Sequence, residues 1–243
     1  MRSLWPREHG AYAQLGVPLA TALLVRSPTC AAVLLALAAC LAFLANEPLL
    51  VLLGHRGARI RQTLRRRAIA RLIITAGGAA LAAGAGLIGA PNATIGIVAV
   101  VAIPAGLMIA LAATRSAHSL GGELVAAIAL PGASATVLVA SGASWTVAVA
   151  LWCAWSLGYA ATVIAVHRVL AAKRGDRGWS PLIALATIAI AVAASSALVV
   201  SAPLVMMSVV VAIWLPSPRR LRSIGYALVA ASFASGIVAV TAG

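Results

Sequence analysis

Apolar residues occupy this chain in long stretches, separated by short segments that contain proline, glycine or charged residues. Most of these stretches approach the roughly 20 residues that a helix needs to cross a bilayer. We predict helices at residues 10–25, 30–53, 69–89, 93–113, 122–141, 145–167, 180–201, 203–215 and 223–241. The boundary between the seventh and eighth depends only on Ser201 and Pro203. The pattern therefore predicts an all-α, polytopic membrane protein with about nine transmembrane helices.

The composition favours the same class of protein. Hydrophobic residues make up 63% of the 243 residues and charged residues only 9%, whereas soluble domains carry about 25% charged residues. A single core cannot enclose so much apolar surface, so lipid must cover the rest. Since no polar linker interrupts the series of helices, we expect residues 1–243 to form one transmembrane helical domain.

The distribution of charge predicts the orientation. Lysine and arginine number 18 against 4 acidic residues. With the N-terminus inside, 17 of the 18 basic residues fall on the cytoplasmic side, and only Arg26 falls outside. This bias predicts a bacterial cytoplasmic (inner) membrane protein with a cytoplasmic N-terminus. Basic residues in short loops are typical of membrane topology, so we expect no nucleic-acid partner. Segments 54–68 and 168–179 are long enough for short amphipathic helices that lie on the anionic leaflet.

The cysteines suggest no special chemistry. Cys30, Cys40 and Cys153 lie in or beside apolar segments without metal-ligand spacing, so we interpret them as small helix-packing residues. The stretch that ends at Cys40 resembles a lipoprotein cleavage box, but the apolar stretch continues to Ala45. We therefore expect neither lipidation nor a cleaved signal peptide.

Ionisable side chains within apolar helices cost free energy and often mark a functional site. Here they form four clusters: at the start of helix 1, late in helix 2 and after it, between helices 4 and 5, and at the end of helix 6. The ligand-binding candidates in these clusters are Arg7, Glu8, His9, Tyr12, Asn46, Glu47, His55, Arg56, Arg59, Arg115, His118, Glu123, His167 and Arg168.

Each cluster also has a structural interpretation. Glu8 can anchor helix 1 through an arginine, and Glu123 can cap the start of helix 5. Glu47 lies about two turns inside helix 2, where an unpaired carboxylate would cost several kcal/mol. It must be protonated, paired with arginine or histidine, or exposed to a wet cavity. Pro48 beside it frees one backbone carbonyl, which favours a cavity. A ligand site and a salt bridge both remain open for Glu47.

All four clusters are predicted on one membrane face. A basic and polar cavity open to the cytoplasm would attract an anionic head group, with an apolar tail along the lipid-facing walls. We therefore predict binding of an isoprenoid or another anionic lipid-like ligand. One alternative is a small-molecule transporter coupled through Glu47 and Glu123, although no inverted repeat is visible. Another is a haem or metal protein that uses the four histidines, although no two have helical ligand spacing.

Two short segments resemble the UbiA prenyltransferase superfamily. Asn46-Glu47 occupies the place of that family's first aspartate motif, and Gly122-Glu123-Leu124 is similar to its menaquinone-pathway members. The resemblance implies a UbiA-like bundle of nine helices with a polar cytoplasmic cavity near the loops after helices 2 and 6. Magnesium-dependent prenyl transfer needs clustered carboxylates, yet residues 46–51 hold one acid and residues 167–173 hold none. We therefore expect no Mg²⁺ and no other cofactor, and the sequence leaves open whether the protein is an enzyme.

The start of the chain resembles a second family. The segment Pro6-Arg7-Glu8-His9-Gly10-Ala11-Tyr12 is similar to the opening signature of the YwiC-like family of bacterial membrane proteins. The resemblance extends over the whole chain in length and topology. It implies a multi-pass membrane protein and carries no particular activity.

Overall fold

The computed structural model describes residues 9–114, 116, 119–175, 178–217 and 220–242, with only the backbone of His9 and Ala242. Within these ranges the chain forms α-helices, one 3₁₀ helix and no strand, so the prediction of an all-α protein is confirmed. The helices are α1 His9–Val25, α2 Cys30–Leu52, α3 Ala58–Ile88, α4 Ala93–Ala113, α5 Leu120–Ala140, α6 Trp145–Lys173, α7 Ser180–Ala193, the 3₁₀ helix Ser196–Ser201, α8 Ala202–Trp214 and α9 Leu221–Ala242.

Two helices are longer than the hydrophobic pattern predicts. α3 begins at Ala58 rather than at residue 69, and α6 continues to Lys173. The expected separate surface helices within 54–68 and 168–179 are therefore wrong, because residues 58–68 and 168–173 extend the spanning helices. Arginine, glutamine and leucine are good helix formers, and neither glycine nor proline interrupts residues 58–76.

The predicted seventh helix is divided. α7 ends at Ala193, and the 3₁₀ helix Ser196–Ser201 leads directly into α8. The break therefore lies at residues 194–195 instead of at Ser201 and Pro203. Pro203 is accommodated in the first turn of α8, where its missing N–H has no intrahelical partner to lose. Serines at 195 and 196 compete for backbone hydrogen bonds and favour the break.

The helices present apolar surface outwards. Seven helical segments of the described chain are long and apolar enough to cross a membrane, and the shorter apolar helices Gly10–Val25 and Ser180–Ala193 accompany them. Large apolar side chains such as Ile74 and Leu81 are 71% and 78% exposed. So much exposed apolar surface requires lipid around it. The prediction of a multi-pass membrane protein is confirmed. Cys30, Cys40 and Cys153 are free and exposed on this surface, so their assignment to helix packing is wrong.

α5 and α6 form the centre of the bundle. α5 packs against α1, α2, α4 and α6, whereas α6 also packs against α7, α8 and the 3₁₀ helix, and α9 lies against α1 and α8. Trp155 is fully buried and stacks on Tyr159 at 5.7 Å between ring centroids. The Tyr159 hydroxyl donates to the Ala13 carbonyl oxygen at 2.9 Å, which joins α6 to α1.

Polar contacts fix which helix ends lie together. The Thr29 hydroxyl, at the start of α2, donates to the Ala140 carbonyl at the end of α5, at 2.9 Å. The Trp145 indole N–H, at the start of α6, donates to the Ala93 carbonyl at the start of α4, at 3.1 Å. The opposite end, where α2 ends and α3, α5 and α9 begin, carries most of the basic residues. We call it the basic end.

Glycines allow the closest helix contacts. A Cβ atom on Gly86 of α3 would lie 3.0 Å from Leu35 Cγ and 3.2 Å from the Ala31 carbonyl oxygen in α2. Gly84, two residues earlier in the same helix, has no such neighbour within 4 Å. Small residues at helix interfaces permit this approach in lipid, where van der Waals packing drives helix association.

These two glycines provide a matched test of the α2–α3 interface. We expect Gly86→Val to lower stability by about 1–3 kcal/mol, because the added atoms overpack the contact with α2. Gly84→Val has the same cost in helix propensity and should unfold at nearly the wild-type temperature. Thermal unfolding in mild detergent measures both. Equal effects of the two substitutions would contradict this interface.

Candidate functional site

Glu47 and Arg56 form a bidentate ion pair at the basic end. Glu47 is 3% exposed in α2, and Arg56 lies in the turn that follows this helix. The Arg56 Nε donates to Glu47 Oε1 at 2.9 Å, and its Nη2 donates to Oε2 at 2.7 Å. Both carboxylate oxygens therefore have a charged donor, which is the strongest geometry for such a pair. Of the interpretations open for Glu47, the structure contains the salt bridge.

The turn after α2 directs Arg56 back towards the helix. Gly54 has a φ of +80°, which favours glycine, and its N–H donates to the Val51 carbonyl at 3.1 Å. The His55 N–H donates to the Leu50 carbonyl at 3.0 Å. Together these bonds form a Schellman motif, which ends the helix and reverses the chain. Asn46 and His55 flank the ion pair and are half-buried, whereas Arg59 is exposed.

Glu123 and His167 form a second pair. The Ser119 hydroxyl caps α5 by accepting from the Gly122 N–H at 3.1 Å, so Glu123 lies in the first turn. Its Oε2 lies 2.9 Å from His167 Nε2 in α6, and both side chains are partly exposed. A carboxylate in the first turn is favourable beside the helix N-terminus, as predicted for a capping acid. This carboxylate also links α5 to α6.

Arg168 is buried and makes structural contacts. Its Nε donates to the Ala212 carbonyl in α8 at 2.9 Å, and its Nη1 donates to the Gly178 carbonyl at 2.6 Å. The side chain thus joins α6 to the last turn of α8 and to the segment before α7. Carbonyls at a helix C-terminus carry partial negative charge, which stabilises the buried cation. Arg168 is therefore shielded from solvent, and its described contacts are with the protein backbone rather than with an open site.

The candidate ligand-binding residues that the structure describes belong to separate local contacts. Glu47 and Glu123 lie at similar depth, because each is 17–18 residues, or about 26 Å, from the Thr29–Ala140 contact. Tyr12 packs edge-on against Phe43 of α2, with ring centroids 5.0 Å apart. Arg7, Glu8, the His9 side chain, Arg115 and His118 lie outside the described residues. The shared cavity therefore stays a prediction.

An apolar groove between α1 and α9 was not anticipated. It has a volume of about 650 Å³, with walls that include Tyr12, Gly16, Leu24 and Phe233. The α1 side of the groove is formed by residues that recur every three to four positions and so lie on one face of the helix. The sequence shows that stripe but does not show that α9, more than 200 residues later, faces it.

A hollow beside arginine side chains at the start of α3 was also missed. Its volume is about 310 Å³, and it is lined by Ala58, Arg61, Gln62 and Arg65. The spacing i, i+3, i+4, i+7 places these residues on one face of a helix. The signal was present in the sequence, but it is readable only if residues 58–68 belong to α3. Across the described chain, no three His, Cys, Asp or Glu side chains come together as a metal site.

The fold, the Glu47–Arg56 ion pair and the Glu123–His167 contact define a polytopic helical membrane protein with paired ionisable groups at one end of its bundle. A family model described as YwiC-like protein matches residues 5–139, which is more than half of the chain. The chain therefore belongs to the YwiC-like family, as its opening segment predicts. No curated protein and no solved structure matches. The UbiA-like relationship stays a prediction.

The Glu47–Arg56 pair can be tested by removing one partner. We expect Arg56→Gln to lower stability by about 3 kcal/mol, because it leaves a buried carboxylate without its counter-charge. Replacing both residues by leucine should cost less than Arg56→Gln alone, since no buried charge remains. Thermal unfolding of the single and double variants measures the coupling. Arg59→Gln, at an exposed position, is the control; a loss as large as that of Arg56→Gln would refute the role of the pair.

Proposed function

We propose that this protein binds an anionic lipid-like ligand, such as an isoprenoid phosphate, with its apolar tail in the α1–α9 groove. The groove is the observation that carries the proposal. Its walls extend from Tyr12 to Leu24 in α1 and from Val229 to Thr241 in α9. The thirteen residues on each side are separated by twelve helical rises, which give a length of about 18 Å. The volume of about 650 Å³ lies within the range of small-molecule sites.

The groove offers apolar contacts and no free hydroxyl from its threonines. The Thr21 hydroxyl donates to the Val17 carbonyl at 2.8 Å, and the Thr241 hydroxyl donates to the Ile237 carbonyl at 3.0 Å. α1 and α9 approach closely at Gly236, where a Cβ would lie 3.1 Å from Thr21 Oγ1. These contacts close the floor of the groove. An aliphatic chain fits such walls better than a polar solute does.

Fit to the groove does not by itself select a ligand in a membrane. Bulk lipid tails are as apolar as the groove, so a bound tail gains packing but little hydrophobic free energy. Selection must therefore come from the head group. Arg222 lies on the face of α9 that continues through Tyr226, Val229 and Phe233, at spacings of four, three and four residues. Arg222 is exposed and lies about two helical turns before Val229, the first groove residue of α9, on the side of the basic end. A guanidinium group there would suit a phosphate.

The proposal includes the orientation predicted from the charges. The basic end faces the cytoplasm of a bacterial inner membrane, so the head group belongs to the inner leaflet. Guanidinium groups, rather than a carboxylate-bound Mg²⁺, hold the anion. Glu47 and Glu123 support this reading because each already has a partner at 2.9 Å or less.

Filling the groove tests the proposal. A Cβ on Gly16 meets nothing within 4 Å, so Gly16→Leu should fold while occupying the groove. We expect this variant to retain at least about fivefold less farnesyl diphosphate than the wild type, because the tail loses its site. Native mass spectrometry of the purified protein with added farnesyl diphosphate gives the bound fraction.

The matched control is Gly84→Leu, which also adds an isobutyl group in open space, on α3. It should retain the ligand at the wild-type level. If the wild type retains only bulk phospholipid, or if both variants lose farnesyl diphosphate equally, the proposal fails. Proton-coupled solute uptake into vesicles that Glu47→Gln and Glu123→Gln abolish would favour the transporter instead.

A further inference from the structure

We infer that the hollow lined by Ala58, Arg61, Gln62 and Arg65 is a phosphate-binding site, separate from the α1–α9 groove. Arg61 and Arg65 stand one helical turn apart, with Gln62 between them and the small Ala58 side chain opening the space. Two arginines and a glutamine line one volume of about 310 Å³, and their guanidinium and carboxamide groups together carry several N–H donors. Phosphate oxygens are the acceptors that fit such a set.

The hollow lies beside a turn that has several hydrogen bonds and an ion pair. The chain reverses through the Schellman motif at Gly54, and the Glu47–Arg56 pair holds the same turn to α2. The Arg61 Cδ would lie 3.9 Å from a Cβ on Gly54, so the aliphatic stem of Arg61 passes beside the turn.

Among the residues that the structure describes, no carboxylate forms an ion pair with Arg61 or Arg65. Like charges at i and i+4 repel each other on a helix. The two carboxylates of the described chain, Glu47 and Glu123, contact Arg56 and His167 instead. An anion bound between Arg61 and Arg65 would remove this repulsion. The hollow is not lined by the neighbouring exposed arginines Arg59, Arg66 and Arg67. The general enrichment of basic residues on one side of a membrane protein explains their presence.

The position of the hollow along α3 leaves two possible sources of the phosphate, a phospholipid head group and a soluble phosphorylated molecule. The 31 residues of α3 measure about 46 Å, which exceeds the roughly 30 Å of a hydrocarbon core. If residues 69–88 fill that core, Arg65 lies about 6 Å beyond it and Arg61 about 12 Å beyond it. This depth spans the head-group layer and the water next to it. A phospholipid head group and a free phosphorylated solute both reach it.

The test compares two double variants that remove the same charge. Arg61→Gln/Arg65→Gln empties the hollow of cations, whereas Arg66→Gln/Arg67→Gln leaves the hollow intact. In one arm, pyrophosphate is titrated calorimetrically into each protein in non-ionic detergent. In the other, native mass spectrometry counts phosphatidic acid bound in nanodiscs of phosphatidylcholine with phosphatidic acid. Thermal unfolding confirms that each variant is folded, and Arg61→Lys/Arg65→Lys restores the charge if the glutamine pair is unstable.

We expect the hollow variant to bind at least about tenfold more weakly, and the control to stay within about twofold of the wild type. Loss in the nanodisc arm alone identifies a lipid head group, and loss in the pyrophosphate arm identifies a soluble phosphate. Equal losses in both variants would reduce the site to general electrostatics and overturn the inference, as would no binding by the wild type in either arm. Gly16→Leu should leave both arms unchanged, so failure of the groove proposal remains distinguishable.

Discussion

The lack of water inside the bilayer is the constraint on which this structure depends. Every backbone group within the hydrocarbon must find a partner in the protein, and a helix satisfies this requirement within one segment. The same constraint excludes charge from the middle of each helix and leaves arginine for the ends. A composition of 63% hydrophobic and 9% charged residues would be extreme for a soluble protein, but it is ordinary for a chain that crosses a membrane many times. The charged residues of the described chain are therefore concentrated near the helix ends, and apolar side chains cover its lipid-facing surface.

The buried carboxylate of Glu47 is the exception that this constraint permits. Its cost is offset by the guanidinium of Arg56, which the reversed chain after α2 brings to it at 2.7–2.9 Å. The pair in turn ties the turn to the helix and fixes where α3 begins. The buried charge of Arg168 is stabilised in a similar way, by two backbone carbonyls instead of a carboxylate. The buried ionisable groups Glu47 and Arg168 thus have local partners, whereas Arg61 and Arg65 on the surface of α3 pair with no carboxylate of the described residues.

Hydrophobic patterning was sufficient to predict the class of protein and most helices, because their apolar length is set by the membrane. It was insufficient for the start of α3, where arginines that look like a surface segment are also good helix formers. It also misplaced the break after α7, because proline at the start of α8 breaks nothing. Glu47 and Arg56 were recognised as one cluster, but the choice between ligand site and ion pair needed the turn geometry. The groove required knowing that α1 and α9 are neighbours, which no local pattern contains.

The shortness of α7 has a consequence for the surrounding membrane. Its 14 residues cover about 21 Å, less than the thickness of an average hydrocarbon core. Ile183 and Ile190 are 65% and 69% exposed, so this helix meets lipid directly beside α6 and α8. Lipid next to α7 must thin, or the helix must be held upright by its neighbours, to avoid hydrophobic mismatch. The wall of the protein at α7 is therefore shorter than at α3, and the lipid around the bundle meets an apolar surface of unequal height.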